Sequence, residues 1–294
     1  MNYNEVLIET PDGRTLEVAT LGEPTGHTVL FHHGTPGSAN LVKMLAPLAD
    51  DGSLFVVTTS RAGYGKSSRL DGRDVASVVR DSRTVLDSLG RSDYVVVGWS
   101  GGGPHALACA ALDAPRCLTA VSLAGVVPTN LDFDWTEGMG PENVEEFALA
   151  TEGGPEYEAH MATYGDVFAV ATKDNIVEIF GGLLSEPDKA VLESEAAREE
   201  FAESMRQGFE FGWRGFYDDD RAMMKDWGFD PTTIGVPVEV WFGDQDLMVP
   251  RTHGEWLAAN LPTATKRFFP GDGHISVVTN HLDELTSAIK KSYA

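Results

Sequence analysis

The pattern of apolar and polar positions predicts alternating strands and helices over the first 127 residues. Two β-rich segments, 4–9 and 15–21, flank the turn sequence Pro11-Asp12-Gly13 and predict a hairpin. Short runs of apolar and β-branched residues predict four further strands, at 27–32, 54–60, 94–97 and 120–124. The helices predicted between these strands are 41–49, 74–89 and 105–112. Strand, helix and strand in succession imply parallel pairing and a sheet covered on both faces.

The last 63 residues return to the same alternation, with strands predicted at 238–242 and 266–269 and helices at 254–260 and 281–290. Residues 128–231 interrupt it, because they are mostly helical in pattern and carry 25 acidic and 7 basic side chains, or −18 of the chain's net −23. This shift predicts a core domain made of 1–127 and 232–294, with a helical domain inserted between two of its strands. We call residues 128–231 the insert. Within it, the run Asp218-Asp219-Asp220 is predicted to be a solvated turn rather than a metal site.

Composition limits the kinds of molecule that this protein is expected to bind. A net charge of −23 repels phosphate backbones and anionic lipid, so neither nucleic acid nor a membrane is an expected partner. No apolar run reaches the roughly 20 residues of a membrane helix, and the first residues do not resemble a secretory signal, so a cytoplasmic location is expected. Cys109 and Cys117 are expected to be buried free thiols. A small-molecule substrate is the expected partner, and a homodimer stays open.

The strongest chemical motif is Gly98-Trp99-Ser100-Gly101-Gly102, which lies between a predicted strand and a predicted helix. A serine on such a sharp turn needs glycine on either side, because the backbones there approach too closely for a Cβ atom. The following helix points its N-terminus at the serine and favours developing negative charge. Ser100 is therefore the predicted nucleophile.

A base and an orienting acid follow in the chain order expected for such a serine. Asp246 lies in the loop after strand 238–242, and His274 lies in the loop after strand 266–269. Asp244 is expected to cap its own turn, while Asp132 and Asp134 are alternative positions for the acid. The two oxyanion donors are predicted to be the amides of Gly101 and of Thr35, since Pro36 has no N–H.

These residues together resemble the α/β-hydrolase superfamily, in particular the branch with an H-G-x-P oxyanion loop and a helical cap. The resemblance rests on segments spread over nearly the whole chain: 33–38, 60–67, 98–103, 243–250 and 271–274. It implies an α/β fold with a mostly parallel sheet flanked by helices, and a cap or lid where the insert lies. It also implies a Ser100–His274–Asp246 triad that needs no metal or cofactor.

The expected activity is cleavage of a small carboxylic ester, thioester or amide through an acyl-enzyme. Serine at position 100 argues against the related dehalogenases and epoxide hydrolases, which use an aspartate nucleophile. A prolyl-aminopeptidase-like peptidase is one alternative, although Trp99 precedes the serine here and follows it in those enzymes. A hydrolase-fold receptor with vestigial turnover is another, and peroxide chemistry stays open as a side activity. Trp99, Trp135 and Trp213 are the predicted substrate-binding residues.

Overall fold

The computed structural model describes residues 2–294, in which eight strands form a single sheet. In chain order the strands are β1 (Tyr3–Glu9), β2 (Thr15–Gly22), β3 (His27–His32), β4 (Leu54–Thr59), β5 (Tyr94–Trp99), β6 (Cys117–Leu123), β7 (Val238–Gly243) and β8 (Ala264–Phe269). Their spatial order is β1-β2-β4-β3-β5-β6-β7-β8. The β1–β2 and β2–β4 pairs are antiparallel and the other pairs are parallel, so the predicted hairpin and parallel sheet are confirmed.

Helices cover the sheet and fill the insert. They are α1 (Val78–Ser88), α2 (Gly102–Leu112), α3 (Pro141–Glu152), α4 (Pro155–Phe168), α5 (Ile176–Phe180), α6 (Glu186–Val191), α7 (Glu195–Gly208), α8 (Arg214–Met223), α9 (Arg251–Asn260), α10 (Ser276–Thr279) and α11 (Leu282–Lys291). The helix predicted at 41–49 instead forms successive 3₁₀ turns over Ala39–Ala49. Pro47 lies inside this segment and has no amide to donate to an α-helical hydrogen bond.

The core lies on both faces of the sheet because the central strands are mostly apolar and buried at nearly every position. In β3, Val29 and Phe31 pack into the apolar cluster on one face, and Leu30 packs into the cluster on the other. This alternation is the two-residue period of a strand. Because these strands are parallel, their carboxyl ends lie at the same edge of the sheet, and the predicted chemical motifs follow those ends.

The insert follows β6 and contains α3 to α8. Its aspartate run is not a solvated turn, so that prediction is wrong: Asp218, Asp219 and Asp220 lie on α8 with 4%, 0% and 0% of their surface exposed. Partners distant in sequence bind all three carboxylates, which offsets part of the cost of burying them.

The structure also describes the two cysteines and the length of the helices. Cys109 and Cys117 are buried and unpaired, as expected. Within residues 2–294, no helix has the length and apolar character needed to cross a bilayer.

Candidate functional site

Ser100 occupies a strained turn between β5 and α2. Its φ is +57°, in the left-handed region that side chains other than glycine rarely adopt. A Cβ atom at Gly98 would lie 2.2 Å from the carbonyl oxygen of Gly102, and one at Gly102 would lie 2.2 Å from that of His32. The glycines thus allow a backbone crossing that holds the Ser100 side chain above the sheet edge.

Asp246 and His274 lie on the loops after β7 and β8, and a hydrogen bond joins them. His274 Nδ1 is 2.8 Å from Asp246 Oδ2, and both residues are buried. The other carboxylate oxygen of Asp246 accepts the backbone N–H groups of Met248 and Val249, each at 2.8 Å. An aspartate anchored in this way fixes the proton on Nδ1 and leaves Nε2 as the proton acceptor.

The residue before the serine holds His274 in place. The indole N–H of Trp99 donates to the His274 carbonyl oxygen at 3.0 Å, and the two rings are 5.1 Å apart at their centroids. Among residues 2–294 there is no hydrogen bond between the Ser100 hydroxyl and the imidazole. The structure therefore joins the acid to the base and packs the base against the neighbour of the serine. In ligand-free sites such serine–histidine contacts are often long and tighten with substrate.

None of the alternative acids is bound to the His274 ring among the described residues, and Asp132 is exposed. Asp244 is half-buried and accepts the backbone N–H of Gly271 at 2.8 Å, which is the turn-capping role expected for it. Asp134 accepts the backbone N–H and the hydroxyl of Thr136. Asp246 is the carboxylate bound to the His274 ring.

The predicted oxyanion donors face the same cavity as Ser100. Thr35 lies in the loop after β3, and the Thr35–Pro36 peptide bond is cis. Thr35 and Gly101 both line the cavity. Their contact is close, since a Cβ atom at Gly101 would lie 2.3 Å from Thr35 Oγ1.

This cavity is small and mostly apolar. Its volume is about 70 Å³, where about 10–15 Å³ on the same kind of measure holds one water, so it has room for a small group beside Ser100. Aromatic and aliphatic side chains dominate its wall: Val126, Phe147, Tyr164, Phe168, Ile179, Phe180, Leu183, Phe216, Met223, Met248 and Val249.

Two carboxyl groups, Glu142 and Glu146, also line the cavity, and its wall contains no basic side chain among the described residues. Glu146 has 7% of its surface exposed. Burial, together with the charge of Asp220, raises the pKa of Glu146 well above its ordinary value. The polar side of the cavity therefore consists of two carboxyl groups, and burial favours the neutral form of Glu146.

The three tryptophans predicted to bind substrate do not line this cavity, and that prediction needs correction. Trp99 turns away to bind His274. Trp135 donates to the Val127 carbonyl oxygen at 2.8 Å and packs edge-on against Phe147. Trp213 packs against Gly165 and under the Arg214 guanidinium. Each indole packs against other side chains, and phenylalanines line the cavity instead.

A buried ion cluster behind the loop that carries Thr35 was missed by sequence reasoning. Asp219 binds Arg61 at 2.6 Å and Arg73 at 2.6 Å, and it also accepts the Thr35 hydroxyl at 2.9 Å. Burial alone would raise the pKa of Asp219, but Arg61 and Arg73 hold it well below its ordinary value. Arg61 lies in the 60–67 motif, which signalled the family without indicating a role.

A second carboxylate of the insert was also missed. Asp188, on α6, is fully buried and accepts the backbone N–H groups of His274, Ile275 and Ser276 at 2.8 to 2.9 Å. No motif marks this residue in the sequence.

A wider cleft of about 900 Å³ lies between the two chain segments that join the insert to the core. Residues 128–131 and 224–232 form most of its wall. None of the predicted catalytic or oxyanion residues lines it, so the smaller cavity beside Ser100 is the candidate site.

Comparisons with known proteins agree with this fold. A non-heme haloperoxidase of Rhodococcus erythropolis is 27% identical over 257 residues, which are 85% of this chain and 86% of that protein. An esterase of Exiguobacterium antarcticum superposes with a TM-score of 0.69 at 17% identity, covering 99% of this chain and all of that chain. A bromoperoxidase of Bacillus anthracis gives 0.71 at 19% identity and 99% coverage of both chains. Residues 29–288 match the model of the alpha/beta hydrolase family, and the chain is a member of that family.

Proposed function

We propose that this protein is a serine hydrolase that cleaves small carboxylic esters through an acyl-enzyme on Ser100. The observation that carries the proposal is the hydrogen-bonded pair Asp246–His274, packed through Trp99 against the turn that presents Ser100. Family membership supports a hydrolase, and the site chemistry supports serine as its nucleophile.

In the proposed mechanism, His274 Nε2 takes the Ser100 proton as the hydroxyl oxygen attacks the ester carbonyl carbon. Asp246 orients the ring and offsets the charge of the imidazolium. The amides of Thr35 and Gly101 stabilise the tetrahedral oxyanion, each contributing about 3–4 kcal/mol. His274 then protonates the departing alkoxide, the acyl group stays on Ser100, and a water activated by His274 releases the acid.

The size of the cavity argues for short acyl groups. We expect kcat/KM on p-nitrophenyl esters to be highest for acetate or propionate and to fall as the acyl chain outgrows about 70 Å³. The test is a chain-length panel on the wild type and on Ser100→Ala. Steady turnover that disappears in Ser100→Ala supports the proposal, and undiminished turnover in that variant contradicts it.

One observation favours a second candidate, an aminoacyl hydrolase. Glu142 and Glu146 line the cavity without a basic neighbour in its wall, so a substrate ammonium group bound there would favour the ionised form of Glu146 and pair with it. Release of p-nitroaniline from aminoacyl anilides with a free amine would favour this candidate. A single covalent turnover with tight ligand retention would instead favour the receptor alternative.

A further inference from the structure

We propose that the insert is part of the catalytic apparatus, because two of its buried carboxylates position the groups that do the chemistry. Asp219 positions the oxyanion loop through Thr35, and Asp188 positions the loop that carries His274. Both are positioning residues, since neither lines the cavity. The inference rests on the proposed function.

The first anchor begins with the docking of α8 on the core. A Cβ atom at Gly215 would lie 2.6 Å from the backbone of Gly63, so the helix backbone touches the core backbone directly. Asp219 lies four residues further along, on the same face of the helix. This backbone contact fixes the position of Asp219 relative to the core.

Asp219 then holds the oxyanion loop through a side chain and an arginine. The Thr35 hydroxyl donates to Asp219 Oδ2 at 2.9 Å and accepts from Arg61 Nη2 at 2.9 Å. Arg61 also donates to the carbonyl oxygens of His33 and Gly34 at 2.5 and 2.9 Å. Three consecutive residues of the loop are bound in this way, so the Thr35 amide has little freedom to leave the cavity wall.

The second anchor is the contact of α6 with the loop after β8. Asp188 accepts three consecutive backbone N–H groups, from His274 to Ser276, and the Ser185 hydroxyl steadies it at 2.7 Å. A Cβ atom at Gly273 would lie 2.4 Å from Asp188 Oδ2. The backbone at His274 is therefore fixed from the insert, while Asp246 fixes its ring from the core.

The mildest test of the first anchor is Thr35→Val, which removes the hydroxyl and keeps the backbone amide. Losing a whole oxyanion donor lowers kcat by about 10²–10³-fold, so a displaced donor should cost about 10-fold in kcat with KM within twofold. Thr35→Ser should restore the activity. Asp219→Asn should lower kcat similarly and add little to Thr35→Val, because both changes release the same contact.

The matched control is Asp218→Asn. Asp218 neighbours Asp219 on α8, is equally buried and binds Arg69, but it does not touch the oxyanion loop. We expect this variant to lose stability and to keep kcat within twofold of the wild type.

The second anchor is tested with Asp188→Asn. We expect kcat to fall at least 10-fold, and the downfield proton resonance of the Asp246–His274 hydrogen bond to shift or broaden. A role in stability alone would lower the melting temperature and leave both readouts unchanged in the folded protein.

Kinetics on p-nitrophenyl acetate decide between the outcomes. Folded Thr35→Val and Asp188→Asn variants with kcat within twofold of the wild type would overturn the proposal, as would an equal loss in Asp218→Asn. If Asp219→Asn does not fold, the Thr35→Val and Thr35→Ser pair decides on the first anchor. If Asp188→Asn does not fold, Ser185→Ala decides on the second, since it removes the hydroxyl that holds Asp188 and should lower kcat and shift the same proton resonance. If Ser100→Ala retains full activity, the proposed function itself fails, which is a separate result from wild-type-like anchor variants.

Discussion

Gly98 is the position at which the geometry of the serine turn can be tested most sharply. In Gly98→Ala the new Cβ atom would lie 2.2 Å from the Gly102 carbonyl oxygen and 2.8 Å from the Ala106 Cβ atom. Ordinary van der Waals contacts begin at 3.4 Å, so the turn and the start of α2 must separate by more than 1 Å. The opposing atoms are mainly backbone and cannot move aside by rotation of a side chain.

Two effects follow from that displacement. Overpacking of this kind costs about 1–3 kcal/mol of the free energy of unfolding. Because Ser100 and the Gly101 amide move with the turn, a misplacement of about 1 Å should lower kcat by about 10²-fold.

The assays are urea unfolding and p-nitrophenyl acetate hydrolysis, with Gly235→Ala as the matched control. Gly235 is exposed, its Cβ atom would meet nothing within 4 Å, and its φ is not in the left-handed region. The control should stay within about 0.5 kcal/mol and keep full activity. If Gly98→Ala behaves like the control, the turn is not the tight crossing described here.

Three further predictions concern the acid, a buried histidine and the cavity. Asp246→Asn should lower kcat by about 10³–10⁴-fold in esterase assays, because the ring loses its orienting partner, and a loss below tenfold would reassign the acid. Burial, reinforced by the positive charge of Arg61, lowers the pKa of His105 to about 3. The contribution of the neutral, buried ring to the free energy of unfolding is therefore complete above the ordinary pKa of 6.5 and is lost as the pH falls toward 3. The unfolding free energy of the wild type relative to His105→Gln, measured in urea, should thus fall by about 1.4 kcal/mol from about pH 7.5 to 5.5, and a constant difference would contradict this. In Glu146→Gln the kcat/KM ratio of ethyl glycinate to ethyl propionate should fall about tenfold with the neutral ester unaffected, whereas an unchanged ratio would remove Glu146 from substrate recognition.

The features predictable from sequence are those determined locally. Runs of apolar and β-branched residues identified every strand of the sheet. The signal is strongest in the central strands, because burial on both faces favours a nearly uninterrupted apolar run. The glycines around Ser100 indicated its sharp turn for the same kind of reason. Asp246 and His274 could be proposed because each directly follows a strand.

The remaining features depend on distant partners. The sequence pattern predicts a hydrophilic turn for the carboxylates of α8. In the structure they are bound by Arg69, Arg61 and Tyr157, which lie 63 to 158 residues away in sequence. Trp99 lies next to the nucleophile in sequence, yet packing turns its ring toward His274. Sequence distance does not report the direction of a side chain.

The role of Ser100 can be measured directly by peptide mass spectrometry after rapid acid quenching of the enzyme mixed with p-nitrophenyl acetate. We expect one acetyl group on the peptide that contains Ser100, present in the wild type and lost in His274→Ala. Turnover of the ester with acetyl on another residue, or with none on any peptide, would contradict it.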